Sequence, residues 1–236
     1  MKKNEHIYIK KLEDHSGKEV WLVDGAAIRR DLDENFTKYE HHARLSFIPA
    51  NEIWIEEDTN KDEWPFFLRH LDREVEYMKA GLTYDEAVKK ADEEEQEKRY
   101  HLPRIQKILS ERDARKAALE KIRKHPLPEY STEKFTVWVV DGEIIRDLYM
   151  VGYADGGHDL VYSWVPKGEV WVEEVLPEKE RKFIILHELH ERGLMHGGKD
   201  YEHAHMGATI VEDRFREHPE EDIEARIREE MEKNMF

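Results

Sequence analysis

Hydrophobic and polar positions change period along this chain, and the same change occurs twice. From Phe135 to Val140 the residues have the β-branched and aromatic content of a strand, and Asp141-Gly142 is a hairpin turn signal. A second short strand is therefore expected over Glu143–Asp147. Past the Gly-rich Asp155-Gly156-Gly157, Leu160–Val165 and Glu169–Glu173 alternate as two more strands joined at Pro166-Lys167-Gly168. The period then becomes that of a helix. Pro177 introduces a segment of roughly Glu178 to Met195 with Phe183, Leu186, Leu189 and Leu194 near one face, ended by Gly197-Gly198. A second helix should run from about Asp200 to Glu217, before Pro219. The pattern predicts an α+β unit, a small antiparallel sheet followed by two helices.

The earlier half repeats this reading at one fixed spacing of 117 residues. Val20-Trp21-Leu22-Val23-Asp24-Gly25 matches Val137-Trp138-Val139-Val140-Asp141-Gly142, and Glu52-Ile53-Trp54-Ile55-Glu56-Glu57 matches Glu169-Val170-Trp171-Val172-Glu173-Glu174. Met78, Tyr84, Ala87 and Ala91 recur as Met195, Tyr201, Ala204 and Ala208. Coincidence without gaps over some eighty residues is not credible, so the chain is a tandem duplication. The expected domains are an N-terminal repeat over 1–100, a connecting helix and Pro-containing linker over 101–130, a C-terminal repeat over 131–219, and a charged helix over 220–236. Pro103–Lys124 reads as one connecting helix, stopped by His125-Pro126. Glu220–Lys233, apolar only at Ile223, Ile227 and Met231, reads as a surface helix.

Composition narrows the function classes. Hydrophobic residues and charged residues each make up 39% of the 236, with 10% aromatic; that aromatic content fits packed cores rather than a disordered polyelectrolyte. The formal charge of −16 argues against nucleic-acid binding and against anionic membranes, since both need clustered Lys and Arg. With no cysteine, disulfides, thiolate metal sites and Cys nucleophiles are excluded together. The start of the chain has no apolar stretch fit for a leader, and no run approaches a membrane span, so a cytoplasmic protein is expected.

Candidate chemistry lies in His187-Glu188-Leu189-His190-Glu191. Residues four apart share a helical face, so His187 and Glu191 can converge on one ion. Glu188 sits one position on, as the general base does in an H-E-x-x-H zinc helix. His205 on the second helix completes a set of two imidazoles and one carboxylate for Zn2+, with His158 and Glu212 as alternative ligands. The N-terminal copy keeps His70, Glu74, His41 and Glu95 at the matching positions. It has Leu71 for Glu188 and Val88 for His205, so it is the degenerate copy. The competing structural reading is a buried polar cluster in which His187 and Glu191 brace the helix pair. His190 and His203 read as surface residues, the paired tryptophans as core, and Asp92–Glu97 as a solvated helix face. No phosphate-loop pattern occurs.

Strands, then a helix carrying H-E-x-x-[HE], then a helix with a further ligand resembles a minimal zincin-type metallopeptidase. The stretches Glu169–Glu173, His187–Met195 and Gly198–His205 are also similar in wording to an uncharacterised group of phage and prophage proteins. The zincin resemblance implies a metal-dependent hydrolase in which Glu188 activates water. It also implies a peptide or protein substrate laid as an added strand on Glu169–Glu174. Two alternatives from other classes are a non-catalytic scaffold that offers its acidic surface to a protein partner, and a mimic of nucleic acid.

Overall fold

The computed structural model describes residues 5–33 and 36–236; Met1–Asn4, the first residues of the stretch read for a leader, and Glu34–Asn35 lie outside the description. The chain forms two compact units, residues 1–106 with 146–152, and residues 107–145 with 153–236.

The first copy runs β1 (Tyr8–Lys11), β2 (Glu19–Val23), α1 (Gly25–Asp31), β3 (Tyr39–His41), β4 (Glu52–Glu56), α2 (Trp64–Lys79) and α3 (Tyr84–Tyr100). Then come α4 (Pro103–Leu109) and α5 (Ala114–Ile122). The second copy runs β5 (Arg123–Pro126), β6 (Thr136–Val140), α6 (Gly142–Leu148), β7 (Gly156–His158), β8 (Glu169–Glu173), α7 (Glu178–His196) and α8 (Tyr201–Glu217), and closes with α9 (Ile223–Lys233). Strand order is β1-β2-β4-β3 in one sheet and β5-β6-β8-β7 in the other. Each copy is thus α+β, as the pattern predicts.

The sheets are mixed, not antiparallel: β2 pairs parallel with β4, and β6 parallel with β8, with Trp21 opposite Trp54 and Trp138 opposite Trp171. The cause is the Asp-Gly dipeptide. Asp24 and Asp141 do not make a hairpin but cap helices, accepting from Ala27 N at 2.8 Å and Ile144 N at 3.2 Å. Gly25 and Gly142 are required there, because a Cβ would come within 2.1 and 2.2 Å of the buried Glu56 and Glu173 carboxylates. The expected strand over Glu143–Asp147 is therefore helix α6. The expected strand over Leu160–Val165 is a run of turns, in which Val161 N and Tyr162 N both donate to His158 O at 3.1 Å.

The single connecting helix is also corrected. It breaks after Leu109, restarts at the Asp113 cap, and its last residues become edge strand β5, whose Pro126 is tolerated at an edge. In the second unit Val137, Val139, Val170 and Val172 from the sheet pack on Ile185, Leu186 and Leu189 of α7 and Phe215 of α8. Helix α9 belongs to this core rather than riding on the surface. Its Ile227 is fully buried, and Asn234 beyond it donates to Leu189 O at 2.8 Å. His190, expected at the surface, turns out to be held by α9 through Glu230 at 2.9 Å.

In the first unit Val20, Ile53 and Ile55 pack on Phe67 and Leu71. That unit also buries an ion cluster: Arg99 lies 3.1 Å from Glu63 and 3.0 Å from Asp147, and Arg146 lies 2.7 Å from Glu63. No helix among the described residues is long and apolar enough to cross a membrane.

Candidate metal centre

Three elements of the second unit meet at the site. Helix α7 supplies His187, Glu188 and Glu191, helix α8 supplies His205 and Glu212, and β7 ends at His158. All but His205 and Glu212 are buried, and the His205 side chain is 42% exposed. The close approach of α7 to β7 depends on Gly156, where a Cβ would meet Ile184 at 2.7 Å and the Glu188 carboxylate at 2.9 Å. Tyr201, one turn before His205 on α8, stacks on its ring with centroids 5.4 Å apart and holds it toward α7.

The geometry converges on one point. His187 Nε2 lies 3.1 Å from His205 Nδ1, His205 Nδ1 lies 2.8 Å from Glu191 Oε2, and His187 Nε2 lies 3.6 Å from Glu191 Oε2. These edges bracket the ~3.3 Å between ligand atoms of a tetrahedral zinc ion with bonds of about 2.0–2.1 Å. His187 Nδ1 donates to Glu212 Oε2 at 2.8 Å, and Glu212 is held in turn by Arg216 at 2.8 Å. A carboxylate on the outer nitrogen fixes the tautomer of the neutral ring, whose Nε2 lone pair then faces inward; a metal must displace the second proton that His187 otherwise holds to about pH 10.

Without an ion one proton holds the triangle together: with His187 neutral and its Nδ1–H on Glu212, His205 Nδ1–H donates to Glu191 Oε2 and faces the His187 Nε2 lone pair. A cation at the centre would take the place of that proton and be met by all three atoms.

The charges around the triangle follow. Burial alone would lower His187, but hydrogen bonds with Glu191 and Glu212 outweigh it and raise it to about 10. Burial opposes ionisation of Glu191, yet bonds from His158, His187 and His205 hold its carboxyl far below the usual range. Glu188 goes the other way. Burial and then the charge of Glu191 push it well above an ordinary carboxylate, the environment that suits a proton-transferring group.

Of the residues singled out in the sequence, His187, Glu191 and His205 offer atoms within 4.8 Å of one another, and so do His158, Glu188 and Glu191. Glu212 touches His187 from behind and does not face the triangle. His203 is exposed. Glu95, part of the run read as a solvated face, is buried against His70 and Arg99. The strand Glu169–Glu173 is central, hydrogen-bonded to β6 on one side and β7 on the other. It has no edge to lend a peptide, and the added-strand expectation fails there. Sequence reasoning missed Gly156, Tyr201 and Arg216. The exchange of Tyr39 for Gly156 between copies was the available signal for the first.

In the first copy the same positions form a closed network. His70 Nε2 lies 2.8 Å from Glu74 Oε1, and its Nδ1 lies 2.9 Å from Glu95 Oε2. Val88 stands where His205 stands in the other copy. Where Gly156 lets Ile184 and Glu188 close in, the first copy has Tyr39, stacked on Phe67 at 4.2 Å and set edge-on to His70 at 5.6 Å. Comparison of the chain with protein-family models, with curated proteins and with solved structures finds no match.

Proposed function

We propose that the second copy is a mononuclear zinc centre with hydrolytic chemistry, and that the first is its degenerate, purely structural counterpart. In this reading His187 Nε2, Glu191 and His205 Nδ1 hold the ion and Glu212 orients His187. Zinc supplies Lewis acidity, polarising a carbonyl and making water a usable nucleophile near neutral pH. Glu188 takes the proton of the attacking water and passes it to the leaving amine or alkoxide, so that an amide or ester is cleaved. The half-exposed His205 edge is the side from which water and substrate reach the ion. The observation that carries the reading is the triangle itself, in which two ring nitrogens and a carboxylate oxygen from two helices lie 2.8–3.6 Å apart, close to the edges of a tetrahedral zinc site. The order of strand, H-E-x-x-E helix and third-ligand helix, shared with the zincin resemblance, supports it further.

Elemental analysis of protein purified without a chelating tag tests the ion, and hydrolysis of a fluorescein-labelled unfolded protein tests the chemistry. One equivalent of zinc is expected in the wild type and in Glu188→Gln, and none in His187→Ala. Hydrolysis should fall about 10²–10⁴-fold in Glu188→Gln, the range of a lost general base. A wild type without zinc would instead favour a non-catalytic protein whose acidic surface meets a protein partner. Zinc with undiminished hydrolysis in Glu188→Gln would reject the role of Glu188.

A further inference from the structure

The group His158, Glu188 and Glu191 lies beside the triangle and shares Glu191 with it, so a second cation bridged by that carboxylate is the obvious extension. The hydrogen bonds of His158 argue against it. Its Nδ1 accepts from the backbone N–H of Leu160 at 3.2 Å, and an amide hydrogen can be met only by a lone pair. The single proton of the neutral ring is therefore on Nε2, which lies 3.0 Å from Glu191 Oε1 and donates to it. Binding a cation through Nε2 would move that proton to Nδ1, where it would face the Leu160 N–H.

The first copy repeats the arrangement with no Glu188 to complete a second group. Ala43 N donates to His41 Nδ1 at 3.0 Å, and His41 Nε2 lies 2.8 Å from Glu74 Oε2, poorly aligned. In both copies this histidine occupies one carboxylate oxygen and leaves the other to what lies beyond. In the second copy the remaining oxygen, Oε2, is the one 2.8 Å from His205.

We infer that His158 is a positioning residue of the zinc centre proposed above, on which this inference rests. By holding Oε1 it makes Glu191 a ligand through one oxygen, keeps the coordination number at four including solvent, and restricts the site to one ion. Without that bond both oxygens of Glu191 are free to swing onto the metal.

The test uses the intact chain loaded with zinc or with cobalt(II), whose visible absorption weakens sharply on going from four to five ligands. The wild type should take one equivalent and show the intense four-coordinate spectrum. His158→Ala should still take one equivalent, bind zinc about 10–100-fold more weakly, the usual cost of losing an outer-shell partner, and lose cobalt absorption. His158→Gln, whose amide N–H can reach Oε1, should restore most of both. A circular-dichroism melt of each variant separates these effects from unfolding. If the wild type binds two equivalents and His158→Ala one, His158 is a ligand and the inference is wrong. If His158→Ala leaves affinity and spectrum unchanged, it is wrong in another way, while the centre itself stands. A wild type that takes no metal removes both.

Discussion

The two copies start from the same backbone and the same His–x3–Glu pair, and they resolve it oppositely. In the first, His70 and Glu74 touch at 2.8 Å and Glu95 closes the other side of the ring. In the second, the matching pair has opened to 3.6 Å and His205 stands between them. Three exchanges go together: Val88 to His205, Leu71 to Glu188, and Tyr39 to Gly156. One adds an imidazole to the triangle, one adds an acid, and one removes the ring that would stand where Glu188 and Ile184 approach the strand. A bracing cluster has no use for that set: Leu71 to Glu188 trades a buried apolar side chain for a buried carboxyl, and the other two exchanges give up apolar packing for a half-exposed imidazole and a glycine. The difference separates what the scaffold needs from what the chemistry needs. The shared His, Glu and second-helix Glu hold two helices together; the added residues complete the groups of atoms that could hold a metal ion.

The largest way to break this comparison is to delete the shared histidine in each copy. His70→Ala leaves Glu74 and Glu95 buried with one cationic partner gone, and removing one member of a buried pair costs about 3–5 kcal/mol. Zinc content should not change. His187→Ala, measured without zinc, should cost less, since Glu191 keeps His205 as well as His158, whereas Glu74 keeps only His41; the second-helix carboxylate keeps its arginine in both copies. Equal losses by denaturant unfolding would mean the two sites are the same structural device.

Much of this was legible before any coordinates. The duplication, the α+β class, the two long helices and the shared face of His187 and Glu191 follow from spacing, because helical periodicity fixes which side chains share a face. On the sequence alone His205 only completes a ligand count, and it is the packing of α7 on α8 that brings it there. Strand pairing was not legible. Asp141-Gly142 suits a tight turn and a helix start equally, and only the buried Glu173 beneath the glycine decides between them. The connector misled for a related reason. Arg123-Lys124-His125-Pro126 has no strand propensity, and it pairs only because β6 offers an open edge. Glu95 looked solvated because its partners, His70 and Arg99, come from elsewhere on the helix pair.

Next in size is pH. Burial would lower His70, but its bonds to Glu74 and Glu95 outweigh that and raise it to about 10. A histidine whose folded pKa exceeds its unfolded value of about 6.5 stabilises fully below 6.5 and loses that contribution as pH climbs through 10. At about 1.4 kcal/mol per pH unit, stability should fall by a few kcal/mol across that window. His187 is raised to about 10 by the same kind of bonds, so in the metal-free chain His70→Gln should remove about half of the slope of the urea midpoint between pH 7 and 10, and His70→Gln with His187→Gln nearly all of it. A slope unchanged in the double variant would place the titrating group elsewhere.

The smallest expected effect, and the sharpest use of the comparison, is to give the first copy the ligand it lacks. Val88 is only partly buried, so Val88→His should change stability by no more than about 1 kcal/mol, as partly exposed substitutions usually do. It places an imidazole one helical turn after Tyr84, as His205 follows Tyr201. Zinc can enter only if the His70–Glu74 contact of 2.8 Å opens, where the matching pair of the second copy already stands 3.6 Å apart. Tyr39 still stands beside it. A second equivalent of zinc should therefore bind, but at least tenfold more weakly than the first, and more tightly as pH rises from 6 to 8. Adding Tyr39→Gly should narrow the gap. If Val88→His alone binds as tightly as the second copy, the third ligand is the whole difference and the close approach at Gly156 serves something other than the ion. If the double variant still takes none, what sets the two copies apart lies in how Glu188 and Glu191 are arranged, not in the missing histidine.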